Sequence, residues 1–245
     1  MIGRPAELMG RLIKKKFNLK HKEPCFLNEP PIKVINCSNL FPFNPSVMDK
    51  SNGYEAIAPI YIKGRGQAVD GIGTSAVRKW AAMLAPKSVV LDLGCGTGMP
   101  VSKLLMDEGM IIYGVDASPS MVRAFKQNFP AAPVACEAVE DSLFFSRQFD
   151  AIISWGLLFL LAAEVQEMAI AKAAKALSPG GKLLFTSPRQ VIHWKDAMTG
   201  QESVSLGEKR YKELMTASGL SLIGEFEDEG ENHYYHACLV DQLIG

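Results

Sequence analysis

The chain has 245 residues, 48% apolar and 21% charged, a composition that suits one soluble domain with a large buried core plus a cap or tail. No run approaches the roughly 18 consecutive apolar residues of a membrane span, and five scattered cysteines without a CxxC pair argue against a disulfide framework or a zinc site and for a reducing cytoplasm. Net charge is zero but divided: residues 1–45 hold eight Lys/Arg and three Glu (+5), while the remainder hold 18 basic and 23 acidic residues (−5), a poor match for a nucleic-acid backbone.

Residues 1–47 read as a basic, Pro-rich, loosely ordered extension, holding six of the 14 prolines. Leu8, Met9, Leu12, Ile13 and Phe17 also mark one apolar stripe beside Lys14, Lys15 and Lys16. A surface helix meeting a membrane or partner is therefore one alternative, and a targeting presequence is another. Residues 48–87 read as a helical cap, with Tyr54, Ile57, Ala58 and Tyr61 at helical spacing and a second helix over Thr74–Leu84. Residues 88–245 form the core.

Within the core, strands and helices alternate, the pattern of βαβ units and a parallel sheet. Strands are expected at Ser88–Asp92, Ile111–Asp116, Val134–Glu137, Phe149–Ser154 and Lys182–Thr186. Helices are expected near Pro100–Glu108, Pro119–Asn128 and Glu164–Leu177, and Pro179-Gly180-Gly181 makes a tight turn into the fifth strand. After a helix near Lys209–Ser218, strands Leu220–Phe226 and His233–Val240 are separated only by Glu227–Asn232. So short a link requires an antiparallel hairpin.

The chemistry concentrates at the end of the first of these strands. Val89-Val90-Leu91-Asp92 runs into Gly94, Gly96 and Gly98 at alternate positions, followed by Pro100. Glycine allows a sharp strand-to-helix turn and close backbone approach to a ligand. The amides at the helix N-terminus would favour a ligand carboxylate. The dinucleotide pattern GxGxxG fits neither register, because its third glycine would fall on Met99 or Val101. Asp92, two residues before Gly94, can hold the ammonium side of a zwitterion. An amino-acid-bearing nucleoside fits these features better than a pyrophosphate. Asp116, at the end of the second strand, can accept both hydroxyls of a ribose, or cap the helix that follows. Glu137 can accept from an adenine amino group, as can Glu140 or Asp141.

These segments closely resemble the class I (Rossmann-like, seven-stranded) S-adenosylmethionine-dependent methyltransferases, in particular the group typified by ubiquinone/menaquinone methyltransferases. The resemblance spans about Tyr54 to Val240. It rests on VLDLGCGTG (90–98), YGVDASPSM (113–121), FDAIISWG (149–156) and LSPGGKLLFTSP (177–188). It implies a Rossmann-like three-layer α/β sandwich whose mainly parallel seven-stranded sheet ends in an antiparallel β-hairpin. It implies S-adenosyl-L-methionine as cofactor, its methionine part held by the glycine loop (Asp92, Gly94, Cys95, Gly96, Gly98). Asp116 would meet the ribose, Ala117 would pack on adenine and Glu137 would meet the adenine edge, with Met121, Ala138 and Trp155 completing the contacts. Glu137 departs from the commoner Asp at that position.

The acceptor belongs at the carboxyl ends of the strands. That rule selects Ser154-Trp155-Gly156, Ser187–Trp194 and the terminal hairpin, with Tyr54 and Tyr61 facing in from the cap. Trp155, His193, Trp194, His233 and Tyr234 form the expected aromatic wall. His193 and His233 are the candidate bases, while His236, three residues from His233 on one strand, faces the other way. No Asp/Asn-Pro-Pro-Tyr/Phe element follows the fourth strand, and no acidic metal ligands follow the fourth and fifth. A small-molecule acceptor is expected, with no metal and no nucleic-acid partner. A protein or RNA acceptor, or a cofactor-binding protein without turnover, is the alternative.

Overall fold

The computed structural model describes residues 49–240, so the expectations for residues 1–47 lie outside the described residues. Nine strands are described: β1 (Val89–Leu93), β2 (Ile111–Asp116), β3 (Val134–Cys136), β4 (Phe149–Ser154), β5 (Leu177–Thr186), β6 (Val191–Lys195), β7 (Glu202–Leu206), β8 (Leu220–Glu227) and β9 (His233–Leu239). Six α-helices accompany them: α1 (Tyr54–Lys63), α2 (Thr74–Ala81), α3 (Val101–Asp107), α4 (Pro119–Asn128), α5 (Ala163–Ala176) and α6 (Glu208–Ala217).

Seven strands form one sheet in the order β3-β2-β1-β4-β5-β9-β8. β1 to β5 are mutually parallel, while β9 pairs antiparallel with both β5 and β8. Alternation along β1 makes the three layers. Leu91 and Leu93 face a core shared with Ala169, Ile170 and Ala173 of α5 and Tyr211 and Met215 of α6. Val90 faces a second core with Trp80 of α2, Leu104 and Leu105 of α3 and Phe125 of α4. Of the two helices expected as a cap, α2 thus packs into the flanking layer through Val77 and Trp80, and α1 packs on α4.

Local chemistry explains the helix starts. Ser118 precedes Pro119, and its hydroxyl accepts a hydrogen bond from Met121 N at 3.2 Å. Met121, Val122 and Phe125 then bury one face of α4. In α5, alanines supply both helix propensity and a flat face against the sheet.

Two details differ from the sequence expectation. β5 starts at Leu177, because Phe149 pairs with Leu177 and, after a register shift, Ala151 pairs with Lys182. The Pro179–Gly181 turn is therefore an irregularity inside the strand. The sequence reading places no element between the fifth strand and the helix near Lys209, yet residues 191–206 fold back on themselves as the two-stranded β6–β7 sheet.

Candidate functional site

A cavity of about 530 Å³ opens over the carboxyl ends of β1, β2, β4 and β5, where the strand order reverses. Of the glycine loop, Asp92, Gly94, Cys95 and Gly96 line it, and Gly98 does not. Gly96 and Gly98 both sit at positive φ (+54° and +79°). A Cβ on Gly98 would stand 2.4 Å from the Phe129 ring, whereas one on Gly96 would meet nothing within 4 Å and would project into open space beside the cavity.

Both Gly→Ala variants carry a left-handed penalty of about 1–2 kcal/mol. Gly98→Ala adds overpacking of about 1–3 kcal/mol. Thermal unfolding is therefore expected to show a larger loss for Gly98→Ala, while Gly96→Ala loses more ligand affinity. Equal melting temperatures for the two variants would contradict this division of labour.

Four of the loop amides are engaged within the protein. Gly94 N and Cys95 N donate to Val115 O (2.8 and 3.1 Å), Gly98 N donates to Cys95 O (2.8 Å), and Gly96 N donates to Asp116 Oδ2 (2.8 Å). Met99 N donates to Thr97 Oγ1 at 3.3 Å, and Pro100, which has no N–H, precedes the start of α3. Arg65, which sequence reasoning missed, lines the cavity with its guanidinium 5.4 Å from the centre of the Trp155 ring. Its position is tied to the loop, since Thr97 Oγ1 donates to Gly66 O at 2.7 Å.

The acids are arranged differently from one another. Asp92 is buried, and its Oδ2 accepts from Ser102 Oγ at 2.6 Å. Burial pushes its carboxyl up to about 7, the Ser102 bond opposes the shift and the nearby Asp116 charge adds to it. Asp116 Oδ1 accepts from Ser118 N at 2.9 Å and Oδ2 from Gly96 N, and burial raises its pKa as well. Ser118 supplies the helix cap, so Asp116 is not spent on that role. Each of its oxygens keeps an unused lone pair.

Ala117, Met121, Glu137 and Ala138 also line the cavity, with Glu137 exposed at its edge. The backbone beyond Glu137 is held by Lys172, whose ammonium donates to the carbonyls of Val139 (2.8 Å), Glu140 (2.9 Å) and Ser142 (2.7 Å). Glu55 of α1, also missed, accepts from Ser118 Oγ, Ser120 N and Ser120 Oγ and so latches α1 to the start of α4.

Across the cavity, Tyr54 and Tyr61 stand edge to face at 5.8 Å, and both line it together with Trp155, Trp194 and His233. Two residues of the expected wall lie elsewhere. His193 is exposed and absent from the lining, because alternation along β6 turns Ile192 and Trp194 inward and His193 out. Tyr234 is fully buried and absent from the lining; its hydroxyl accepts from Trp155 Nε1 and donates to Asp228 Oδ2, both at 2.8 Å. It fixes Trp155 from behind. His233 Nε2 lies 3.1 Å from Glu225 Oε1, and His236, on the opposite face of β9, packs edge-on to Trp80.

Asp196, in the β6–β7 turn, is a buried carboxylate of the lining that sequence reasoning missed. The signal was present: Asp196-Ala197-Met198-Thr199-Gly200 is a turn pattern between two alternating runs. Among the described residues no group of three or more His, Cys, Asp or Glu could hold a metal ion, and no helix is long and apolar enough to cross a membrane.

Residues 90–181 match the family model described as a methyltransferase domain. A malonyl-[acyl-carrier protein] O-methyltransferase of Anoxybacillus flavithermus is 35% identical over 42% of this chain and 39% of its own length. An uncharacterized methyltransferase of Bacillus cytotoxicus is 35% identical over 39% of this chain and 45% of its own. The matches thus span less than half of these relatives. Among solved structures, 1,6-didemethyltoxoflavin-N1-methyltransferase of Burkholderia thailandensis superposes with a TM-score of 0.61 at 17% identity, covering 81% of this chain and 93% of that one. A TehB-like methyltransferase of Corynebacterium glutamicum gives 0.58 at 22% identity, covering 76% and 97%. At these identities the structural likeness establishes the fold alone.

Proposed function

We propose that this chain, which carries a class I S-adenosylmethionine-dependent methyltransferase domain, transfers the methyl group to a small-molecule acceptor held in the same cavity. The observation that carries this reading is the position of the cavity. One hollow joins the glycine loop and the two acids that follow it to an apolar, aromatic wall over β4 and β5.

The residues present fit S-adenosylmethionine. Asp116 keeps one lone pair on each oxygen for the ribose hydroxyls, and Ala117, Met121 and Ala138 give an apolar bed for adenine, with Glu137 at its edge. Gly96 leaves open the space a side chain would take. Asp92, buried with its pKa raised, gains from a cationic ammonium partner, and Arg65 supplies the counter-charge for a carboxylate. When bound, S-adenosylmethionine supplies a methyl group already activated on a sulfonium sulfur. The protein's part is positioning and exclusion of water. Tyr54 and Tyr61 from α1, Trp194 from β6 and the wall around Trp155 close the cavity for that purpose.

A small acceptor is supported by the aromatic side chains Tyr54, Tyr61, Trp155 and Trp194 that line the cavity beyond the glycine loop. The net negative charge of residues 46–245 also disfavours a nucleic acid. Labelled methyl supplied with cell extract is expected to enter the small-molecule fraction. Label confined to acid-precipitable protein or RNA would overturn the small-acceptor reading.

A further inference from the structure

The strand order divides the cavity into two ends. The glycine loop, Asp116 and Glu137 lie over β1, β2 and β3; the other end lies over β4, β5 and β9 and meets the β6–β7 hairpin. Resting on the methyl-transfer reading above, we propose that the acceptor at this second end is a flat, largely apolar amine that arrives protonated.

Charge is the first argument. The carboxylates in the lining of this end are Asp196, Glu227 and Glu231. Of the cations that border it, Arg65 lies over Trp155 and is assigned above to the carboxylate of the methyl donor, and Arg189 is directed away: its Nε donates to Glu208 Oε2 at 2.8 Å, and a terminal nitrogen lies 2.6 Å from the same oxygen. An anionic acceptor would meet repulsion here, while an ammonium finds complementary charge.

Hydrogen-bond direction is the second argument. The side-chain donors Trp155 Nε1 and Asn232 Nδ2 are turned to Tyr234 and Asp228 respectively. Asp196, only 6% exposed, has Oδ1 filled by Met198 N, Thr199 N and Thr199 Oγ1, so it is held rigidly as an acceptor. Its charge also helps burial keep the Tyr54 phenol protonated. Asp196, Glu227 and Glu231 present carboxylate acceptors in the lining, which suit a ligand that carries N–H donors.

The third argument is His233, which is buried and lines the cavity. Its Nδ1 has no hydrogen-bond partner and stands 3.6 Å from Glu227 Oε1. An imidazole beside a carboxylate can take up one proton. The apolar body of the acceptor has a matching wall in Phe159 and Trp194, whose rings tilt against each other at 5.6 Å, with Ile192 alongside.

The transfer balances on this account. The ammonium releases one proton to the His233–Glu227 pair, which later passes it to solvent. The freed nitrogen lone pair forms the bond to the methyl carbon as the carbon–sulfur bond breaks, and its electron pair stays on sulfur as a thioether. The positive charge moves from sulfur to the methylated nitrogen, where the three carboxylates favour it. Methylation of a carboxylate would instead discharge an anion and make no use of them.

Tryptamine and indole-3-propionate share one flat body and differ in the sign of their charge. Titrated by calorimetry into the protein saturated with S-adenosylhomocysteine, tryptamine is expected to bind about tenfold or more tightly. Asp196→Asn, or Glu227→Gln if the first variant does not fold, should shrink that ratio about threefold or more. Equal or tighter binding of the acid, binding of neither probe, or an unchanged ratio in the variant would overturn the proposal. Failure of the wild type to bind S-adenosylhomocysteine would remove the methyl-transfer reading as well. Cofactor binding with the wrong probe preference would remove only the amine.

Discussion

Asp116→Ala is expected to weaken S-adenosylmethionine binding by about 1.5–3 kcal/mol, roughly a 10- to 150-fold rise in Kd. The size follows from the bonds available. Asp116 is half-buried at the end of β2, where each carboxylate oxygen already holds one backbone amide and can accept a further donor. A ribose presents two adjacent hydroxyls, and hydrogen bonds from them to an ionised carboxylate are of the stronger kind. The fold should survive the change, because Ser118 supplies the α4 cap and Glu55 holds Ser118 and Ser120 independently. Calorimetry on the folded variant, with circular dichroism as the control, checks this. Unchanged affinity would remove Asp116 from the cofactor site.

The other large effect is a pH dependence carried by Asp92. Unfolded, an aspartate titrates near 3.9; folded, burial holds this one at about 7. Between these values the unfolded chain has released a proton that the folded chain keeps. The contribution of Asp92 to stability is thus fully present below about pH 4 and is lost as pH rises through about 7, by on the order of 2–4 kcal/mol. Asp92→Asn removes the titration and leaves an amide that can still accept from Ser102. Its ligand-free form is expected to lose less stability than the wild type between pH 5 and pH 8.

Binding should respond with the opposite sign. A ligand ammonium favours the ionised carboxylate, so wild-type affinity rises from pH 6 to 8 and binding releases a proton, seen as a dependence of the heat on buffer ionisation enthalpy. In Asp92→Asn the affinity should be lower and its pH dependence flatter. Identical pH slopes for the two proteins, in both unfolding and binding, would show that Asp92 is not the responsible group.

Much of this site was legible in the sequence because it follows from backbone periodicity. Apolar runs ending in Asp92 and Asp116, and Ser118-Pro119 opening a helix, depend on neighbours in the chain. The five parallel strands follow from the alternation of strand and helix patterns, and the closing hairpin from its short connection.

What sequence could not supply depends on contacts between distant residues. The amides of Gly94, Cys95 and Gly96 are engaged because Val115 O and an Asp116 oxygen reach back to them. Glu55 gains its role only because α1 lies against α4, 63 residues on. The β6–β7 hairpin carries little sequence signal because each strand is five residues long and stands apart from the main sheet. Without that hairpin His193 reads as part of the site, whereas two-residue alternation along β6 turns it out. Tyr234 was misplaced for a related reason. It starts near the rim, but its side chain occupies the face of β9 that belongs to the core with Trp80.

Titration of S-adenosylhomocysteine and S-adenosylmethionine into the folded protein by calorimetry bears most directly on the role of the cavity. Both are expected to bind once per chain with Kd below about 100 μM, and NADH is expected to give no saturable heat. Absence of binding by both sulfur nucleosides at high micromolar concentration, with the protein shown to be folded, would contradict the assignment of the glycine loop, Asp92 and Asp116 to a methyl donor.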